Sequence, residues 1–324
     1  MLILSKPEVE SAASLDEILE AIEESLAVYG QGNFYMPDRI HVDYKGKTLL
    51  YMPSVVDDRL MGTKYLTMVP GNGKRGLPSL DGMMILNDFE TGFPLCLMSG
   101  TALTAMRTGA VGGVGVRWTT PENLSTAGLI GTGVQGLNQL RYAAHVRKLR
   151  RICLYNASLE KMQAFAGKLE SVIPAGIEIV YCHDAAELLA KSELVITTTT
   201  SEKPVLPNDE KLLRDKHYIA IGSYKPEMRE LPDALFKVVD QVFYDVDYAR
   251  EESGDLSQPL ASGLLKPGRL ARLGDYIRGC KDKDAVRRGT TLVKSVGMGI
   301  FDVVAGDLIY RKAKQNGLGL EVEF

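Results

Sequence analysis

At 324 residues, 45% hydrophobic and 24% charged, the chain has the make-up of an ordinary globular protein and is long enough for two domains. A net charge of -3 and a pI near 5.9 remove the electrostatic case for a nucleic-acid partner. The four cysteines, Cys96, Cys153, Cys182 and Cys280, are far apart and form no C-x-x-C pair, which argues against a disulfide framework or a zinc site. The histidines form no H-E-x-x-H, the apolar run at the N-terminus is too short for a signal peptide, and no run of about 18 apolar residues occurs. The expectation is a reduced, cytoplasmic protein with no metal and no membrane partner.

In chain order, residues 2–4 predict a short strand and the segment after them a helix. Ser14 and Glu17 make a capping box, Leu15, Ile18, Leu19, Ile22 and Leu26 form an apolar stripe, and Gly30 stands where a C-terminal glycine is expected. Strands follow. Residues 40–44 and 48–52 flank Lys45-Gly46-Lys47 as a hairpin, 63–69 reads as a third strand, and 83–87 with 95–98 flank a turn at Thr91-Gly92. Within 63–69, Lys64 shares a face with Leu66 and Met68. Either that face meets solvent, with the lysine snorkelling at a sheet edge, or Lys64 sits in a lined pocket.

Residues 101–117 are mostly small and read as a helix of low side-chain volume, suited to close approach of a backbone or a ligand. Arg107 in its middle is a candidate anion clamp. Residues 126–129 then predict a buried strand that runs into Gly131-Thr132-Gly133-Val134-Gln135-Gly136, followed by Leu137, Leu140, Ala143 and Ala144 at helical spacing. Strand, G-x-G-x-x-G and helix in that order predict a dinucleotide site, in which the helix N-terminus offers unpaired N–H groups to the pyrophosphate.

Beyond the loop, strand-like runs at 152–155, 177–181, 194–198, 218–221 and 242–245 alternate with helical patterns. Such alternation builds a doubly wound parallel sheet, with ligands at the carboxyl ends of its strands. That nominates Asn156, the threonines at 197–200 (Thr198 and Thr199 among them) and Gly222 to Tyr224. The second strand ends in Asn156-Ala157-Ser158, without the acid that holds a ribose 2′-hydroxyl or an arginine for a 2′-phosphate, so the cofactor is NAD or NADP. Residues 292–313 are expected as a final amphipathic helix in which Gly297 and Gly299 allow close packing.

The segments Lys64-Tyr65, Gly76-Leu77-Pro78-Ser79, Thr91-Gly92-Phe93-Pro94, Leu103-Thr104-Ala105-Met106-Arg107-Thr108, Gly131-Thr132-Gly133-Val134-Gln135, Arg229-Glu230-Leu231 and Glu252-Ser253-Gly254-Asp255 together resemble the ornithine cyclodeaminase and mu-crystallin family over nearly the whole chain. The resemblance implies an α/β protein in which a Rossmann domain, 118–299, binds a nicotinamide dinucleotide. An α+β domain formed by 1–117 and 300–324 would bind substrate and join a homodimer. It also implies that Arg39, Lys64 and Arg107 hold a substrate carboxylate, that Ser79 lies near the substrate and that Thr108 contacts the cofactor.

Three cations converging on a small site suit a carboxylate and orient its neighbouring carbon–nitrogen bond for hydride transfer. An amino-acid dehydrogenase or an imine reductase is therefore expected first. A redox-neutral ornithine cyclodeaminase and a non-enzymatic dinucleotide binder are the alternatives. Cyclodeaminases of the family carry an aspartate where this sequence has Tyr224. A phenol is neutral at pH 7 and cannot pair with a substrate ammonium, although it can donate a hydrogen bond, so Tyr224 joins Lys64 as a candidate catalytic group and favours net redox chemistry.

Overall fold

The computed structural model describes residues 1–280 and 282–323 and divides them into two compact units, 1–107 with 298–324 and 108–297. The expected domain boundaries were 117/118 and 299/300. Residues 281 and 324, which those domains included, lie outside the described residues.

The first unit is built on a sheet of eight strands: β1 (Leu2–Leu4), β2 (Phe34–Tyr35), β3 (Ile40–Tyr44), β4 (Lys47–Val56), β5 (Leu60–Met68), β6 (Leu80–Asp88), β7 (Pro94–Ser99) and the short C-terminal Leu320–Glu321. Its order is Leu320–Glu321, β1, β7, β6, β5, β4, β2, with β3 also pairing β4. Two helices come first, α1 (Lys6–Ala12) and α2 (Leu15–Gln31), so the single early helix expected from sequence is two. The capping box forms at Ser14 and Glu17, but the helix runs past Gly30 and ends at Gly32, which takes the left-handed conformation at φ 80° and donates to Val28 O. Ile18, Leu19, Ile22 and Leu26 are buried as the stripe requires. The final helix, Gly299–Gln315, packs on α2 and lies across β4, β5 and β6.

β5 is not an edge. It runs antiparallel between β4 and β6, with Lys64 opposite Met52 on one side and Met84 on the other. Lys64 is 1% exposed, so the face it shares with Leu66 is the buried one and a snorkelling lysine is excluded.

The second unit holds a wholly parallel sheet of eight strands: β8 (Thr126–Ile130), β9 (Arg151–Tyr155), β10 (Glu178–Tyr181), β11 (Leu194–Thr197), β12 (His217–Ala220), β13 (Gln241–Tyr244), β14 (Leu270–Arg272) and β15 (Thr291–Lys294). Their order is β10, β9, β8, β11, β12, β15, β13, β14. The chain winds outward from β8 through β9 to β10 and then returns to β8's other side with β11, so the topological switch falls between β8 and β11. Residues 291–294 form the strand between β12 and β13, although 292–294 were expected to start the last helix, which begins at Gly299. Their run Thr-Leu-Val-Lys is fully buried and includes the β-branched Thr291 and Val293, which suits a central parallel strand.

The dividing line between units falls inside α3 (Gly100–Thr119), the helix of small residues. Its second half meets α4 (Val134–Val146) at close range: a Cβ on Gly109 would stand 2.8 Å from Asn138 Cβ and from the Tyr142 ring.

Candidate functional site

In the first unit, three buried ionisable side chains from three elements meet. Lys64 of β5 donates from Nζ to Asp302 Oδ2 at 2.6 Å, and Arg107 of α3 donates from Nε to Asp302 Oδ1 at 3.0 Å. Lys64, Arg107 and Asp302 are 1%, 6% and 0% exposed. The final helix brings Asp302 here, on its first turn, where the helix dipole favours an anion. Its start can lie close on β4 because Gly299 has no side chain; a Cβ there would be 2.2 Å from Ser54 Oγ.

The cluster has more donors than its one carboxylate uses. Lys64 has three N–H bonds and Arg107 five, and among the described residues the Arg107 ion pair runs through Nε alone. Burial and the Arg107 charge push the Lys64 ammonium down to about 7, against the pull of Asp302; Arg39, half-buried just before β3, pushes the same way as Arg107. Arg39, Lys64 and Arg107 are thus electrostatically coupled. Ser79 is exposed on the turn before β6, its carbonyl accepting from Val69 N at 2.7 Å.

In the second unit, Gly131 directly follows β8 with φ +105°, a conformation an L side chain rarely adopts, and a Cβ there would lie 2.8 Å from Thr198 O. A Cβ on Gly136 would fall 2.3 Å from Gly131 O, so helix and strand can pack this closely only without one. Gly133 differs: nothing lies within 4 Å of its Cβ position, and it is the N-cap of α4 with no side-chain cap. The helix therefore begins on open space, with its first N–H groups directed there. That arrangement fits a dinucleotide pyrophosphate. Val134 is exposed, Thr132 Oγ1 accepts from Asn156 Nδ2 at 2.8 Å, and Asn156 Oδ1 accepts from Ser158 N at 3.1 Å. Thr198 Oγ1 donates to Gly131 O at 2.7 Å, and Thr108, buried, accepts from Gln139 Nε2 through its carbonyl at 2.7 Å.

The ends of β11 and β12 are tied together by a residue to which the sequence assigned no role. Glu230 accepts from Thr197 Oγ1, Thr199 N, Thr199 Oγ1 and Gly222 N at 3.0, 2.6, 2.8 and 2.8 Å. Burial raises its carboxyl above the usual range, and Lys294 draws it back. Asp255 Oδ1 accepts from the backbone N–H of Glu230 and Leu231 at 2.8 and 2.9 Å, while its Oδ2 stands 3.3 Å from Lys294 Nζ. The last pair is within ion-pair range but not aligned as a hydrogen bond. Tyr224 lies just beyond Gly222 and is 36% exposed.

Asp302, Glu230 and Lys294 are the members of these clusters to which the sequence assigned no role, although Glu230, like Asp255, stood in one of the segments that carry the family resemblance. Asp302 carried a signal: an acid inside Ile300-Phe301-Asp302-Val303-Val304 is out of place unless paired.

Compared with known proteins, the profile of the ornithine cyclodeaminase/mu-crystallin family matches residues 1–317. A Delta(1)-pyrroline-2-carboxylate reductase from Bacillus thuringiensis subsp. konkukian is 33% identical, with 100% of both chains covered. The Delta(1)-pyrroline-2-carboxylate reductase of Thermococcus litoralis, solved in complex with NADH and L-proline, superimposes with a TM-score of 0.91 at 33% identity over 99% of this chain and 100% of that one. An archaeal alanine dehydrogenase dimer with bound NAD superimposes with a TM-score of 0.90 at 30% identity over 100% and 99%.

Proposed function

The chain belongs to the ornithine cyclodeaminase/mu-crystallin family, and from that premise we propose that it is an NAD(P)-dependent oxidoreductase acting on the carbon–nitrogen bond of a small amino or imino acid, a cyclic imino acid being the first substrate to test. The observation that carries this reading is the buried cluster of Lys64, Arg107 and Asp302, whose cations keep donors for a carboxylate. Arg107 would grip that carboxylate through its Nη fork and Lys64 through its remaining N–H bonds, with Arg39 adding charge and Ser79 a hydroxyl. The nicotinamide, when bound, supplies hydride to the imine carbon or accepts it from the amino acid. Gly131 to Gln135, Thr108, Asn156, Ser158, Thr198, Thr199 and Gly222 would hold the dinucleotide, with Glu230 keeping the last two strand ends in register. Asn156 is already committed to Thr132 and Ser158, and the strand end Asn156-Ala157-Ser158 carries no acid, so this reading takes either NAD or NADP.

An imine carbon takes hydride best when its nitrogen is protonated. Lys64, an acid brought close to neutrality by its surroundings, and Tyr224 are the proton-bearing groups assigned to that step. With Tyr224 in place of an aspartate, no carboxylate at that position pairs with the second amine of a diamine. A homodimer and a cytoplasmic location complete the proposal; the exposed Tyr35, Ile40, Val42 and Tyr44 of β2 and β3 support the first, and four free cysteines the second.

The test is to mix purified protein with Delta(1)-pyrroline-2-carboxylate and NADH or NADPH and to follow nicotinamide absorbance, and separately to supply ornithine with catalytic NAD and assay proline and ammonia. Steady oxidation in the first assay and none of the second product are expected. Robust ammonia release from ornithine would restore the cyclodeaminase reading.

A further inference from the structure

We propose that Asp302 is a positioning residue for the substrate carboxylate: it holds Lys64 Nζ and Arg107 Nε on its two oxygens and so sets where their remaining donors meet the ligand. The inference rests on the carboxylate-binding reading above and adds a residue to which neither motif nor resemblance assigns a role.

Three observations converge on it. Each Asp302 oxygen is given to a different cation, so the carboxylate spaces the two nitrogens as a single rigid template. Among the described residues the trio itself contains two cations and one anion, a surplus of positive charge in a place almost closed to water. Buried charge of that kind is costly, and replacing such a cluster with apolar side chains is often neutral or stabilising. Its surplus suits a site that is completed by an anionic ligand. Finally, Asp302 comes from the first turn of a helix seated tightly on β4, whereas Lys64 and Arg107 come from β5 and α3, so the carboxylate ties three elements at one point.

Asp302 also decides the charge state of Lys64. The charged groups facing that amine are Asp302 from the final helix, Arg107 from α3 and Arg39 from before β3; Asp302 alone among them favours the ammonium. Without it, burial and the two cations act on the amine with that pull removed and favour its neutral form, which pairs less well with a carboxylate.

The experiment compares wild type, D302N and D302E in three readouts. The first is the pH midpoint of the Lys64 13Cε resonance in lysine-labelled protein, assigned by its loss in K64R. The second is the split of KM and kcat for the imino acid, and the third is dinucleotide affinity as a check on folding. D302N is expected to lower the Lys64 midpoint by at least about one pH unit and to raise KM about tenfold or more, with kcat falling as well because Lys64 is one of the proton-bearing groups assigned to the imine. D302E, which keeps the charge, should retain the midpoint. An unchanged midpoint in D302N, or equal damage in D302N and D302E, overturns the proposal. The titration needs no substrate, so a shifted midpoint without turnover would overturn the proposed reaction and not this role. Deleting one partner of a buried pair endangers the fold. D302A purified in formate keeps the test decisive if D302N does not fold: withdrawing formate must lower the midpoint and restoring it must bring the midpoint back, and insensitivity to formate refutes the idea.

Discussion

A lysine and an arginine that are 1% and 6% exposed are not held for stability alone, because apolar residues would fill the same space at lower desolvation cost. Their chemistry is the reason to keep them, and two outcomes follow at this scale. Arg107→Lys preserves charge but loses the planar fork, so it should raise KM for the imino acid by about 10- to 100-fold and leave dinucleotide affinity within about twofold. Equal losses in both, measured by steady-state kinetics and cofactor titration, would make Arg107 a structural residue. The second outcome concerns pH. The Lys64 amine is lowered from 10.5 to about 7 in the folded protein, so it is an ammonium below that pH and loses its proton as pH rises through it. Affinity for a carboxylate ligand in the cofactor-loaded protein should therefore weaken above neutrality, approaching tenfold per pH unit, and calorimetry with L-proline from pH 6 to 9 checks it. Linkage gives the sign for stability. Between about 7 and 10.5 the unfolded chain binds the proton that the folded chain has released, so Lys64 makes stability rise with pH across that window.

Among elements, the turn from β8 into α4 shows that three glycines of one motif have three physical reasons. Gly131 needs its positive φ, Gly136 needs the 2.3 Å approach to Gly131 O, and Gly133 faces open space. Gly133→Val should therefore leave the melting temperature of the cofactor-free protein nearly unchanged while abolishing the stabilisation that NADH or NADPH confers. Gly136→Val should lower the cofactor-free melting temperature by several degrees through overpacking. Thermal melts with and without dinucleotide separate the two. If Gly133→Val is stabilised by cofactor as well as the parent is, the dinucleotide assignment of this loop fails. Glu230 belongs to the same scale, since one carboxylate accepts four hydrogen bonds that join the ends of β11 and β12.

At the scale of the whole molecule, β3 carries Ile40, Val42 and Tyr44 exposed on a strand that, among the described residues, pairs with β4 alone, and Tyr35 of β2 is exposed as well. Exposed apolar strand residues of this kind mark a pairing surface. Sedimentation should find twice the 35.5 kDa chain mass, and Ile40→Glu with Val42→Glu should shift the population toward the single chain. A monomer in the parent protein would remove the dimer from the reading.

The alternation of strand and helix after Ile130, the glycine loop, the capping box at Ser14 and the misplaced polarity of Lys64 were legible in the sequence because each is local: period, turn chemistry and one charge among apolar neighbours act over a few residues. Where the first long helix stops was not, since Gly30 and Gly32 both suit a helix end and packing chose the second. Residues 292–294 read as the start of a helix because so short a segment has no period of its own; pairing between β12 and β13 makes 291–294 a strand. Asp302 and Lys64 lie 238 residues apart, and Glu230 reaches Thr197 across 33, so no spacing in the chain announces either contact. Sequence alone determined which cations and glycines this protein carries and in what local order. Which carboxylate answers each of them was decided by the tertiary structure, because buried charges must find partners and only packing brings those partners within hydrogen-bond reach.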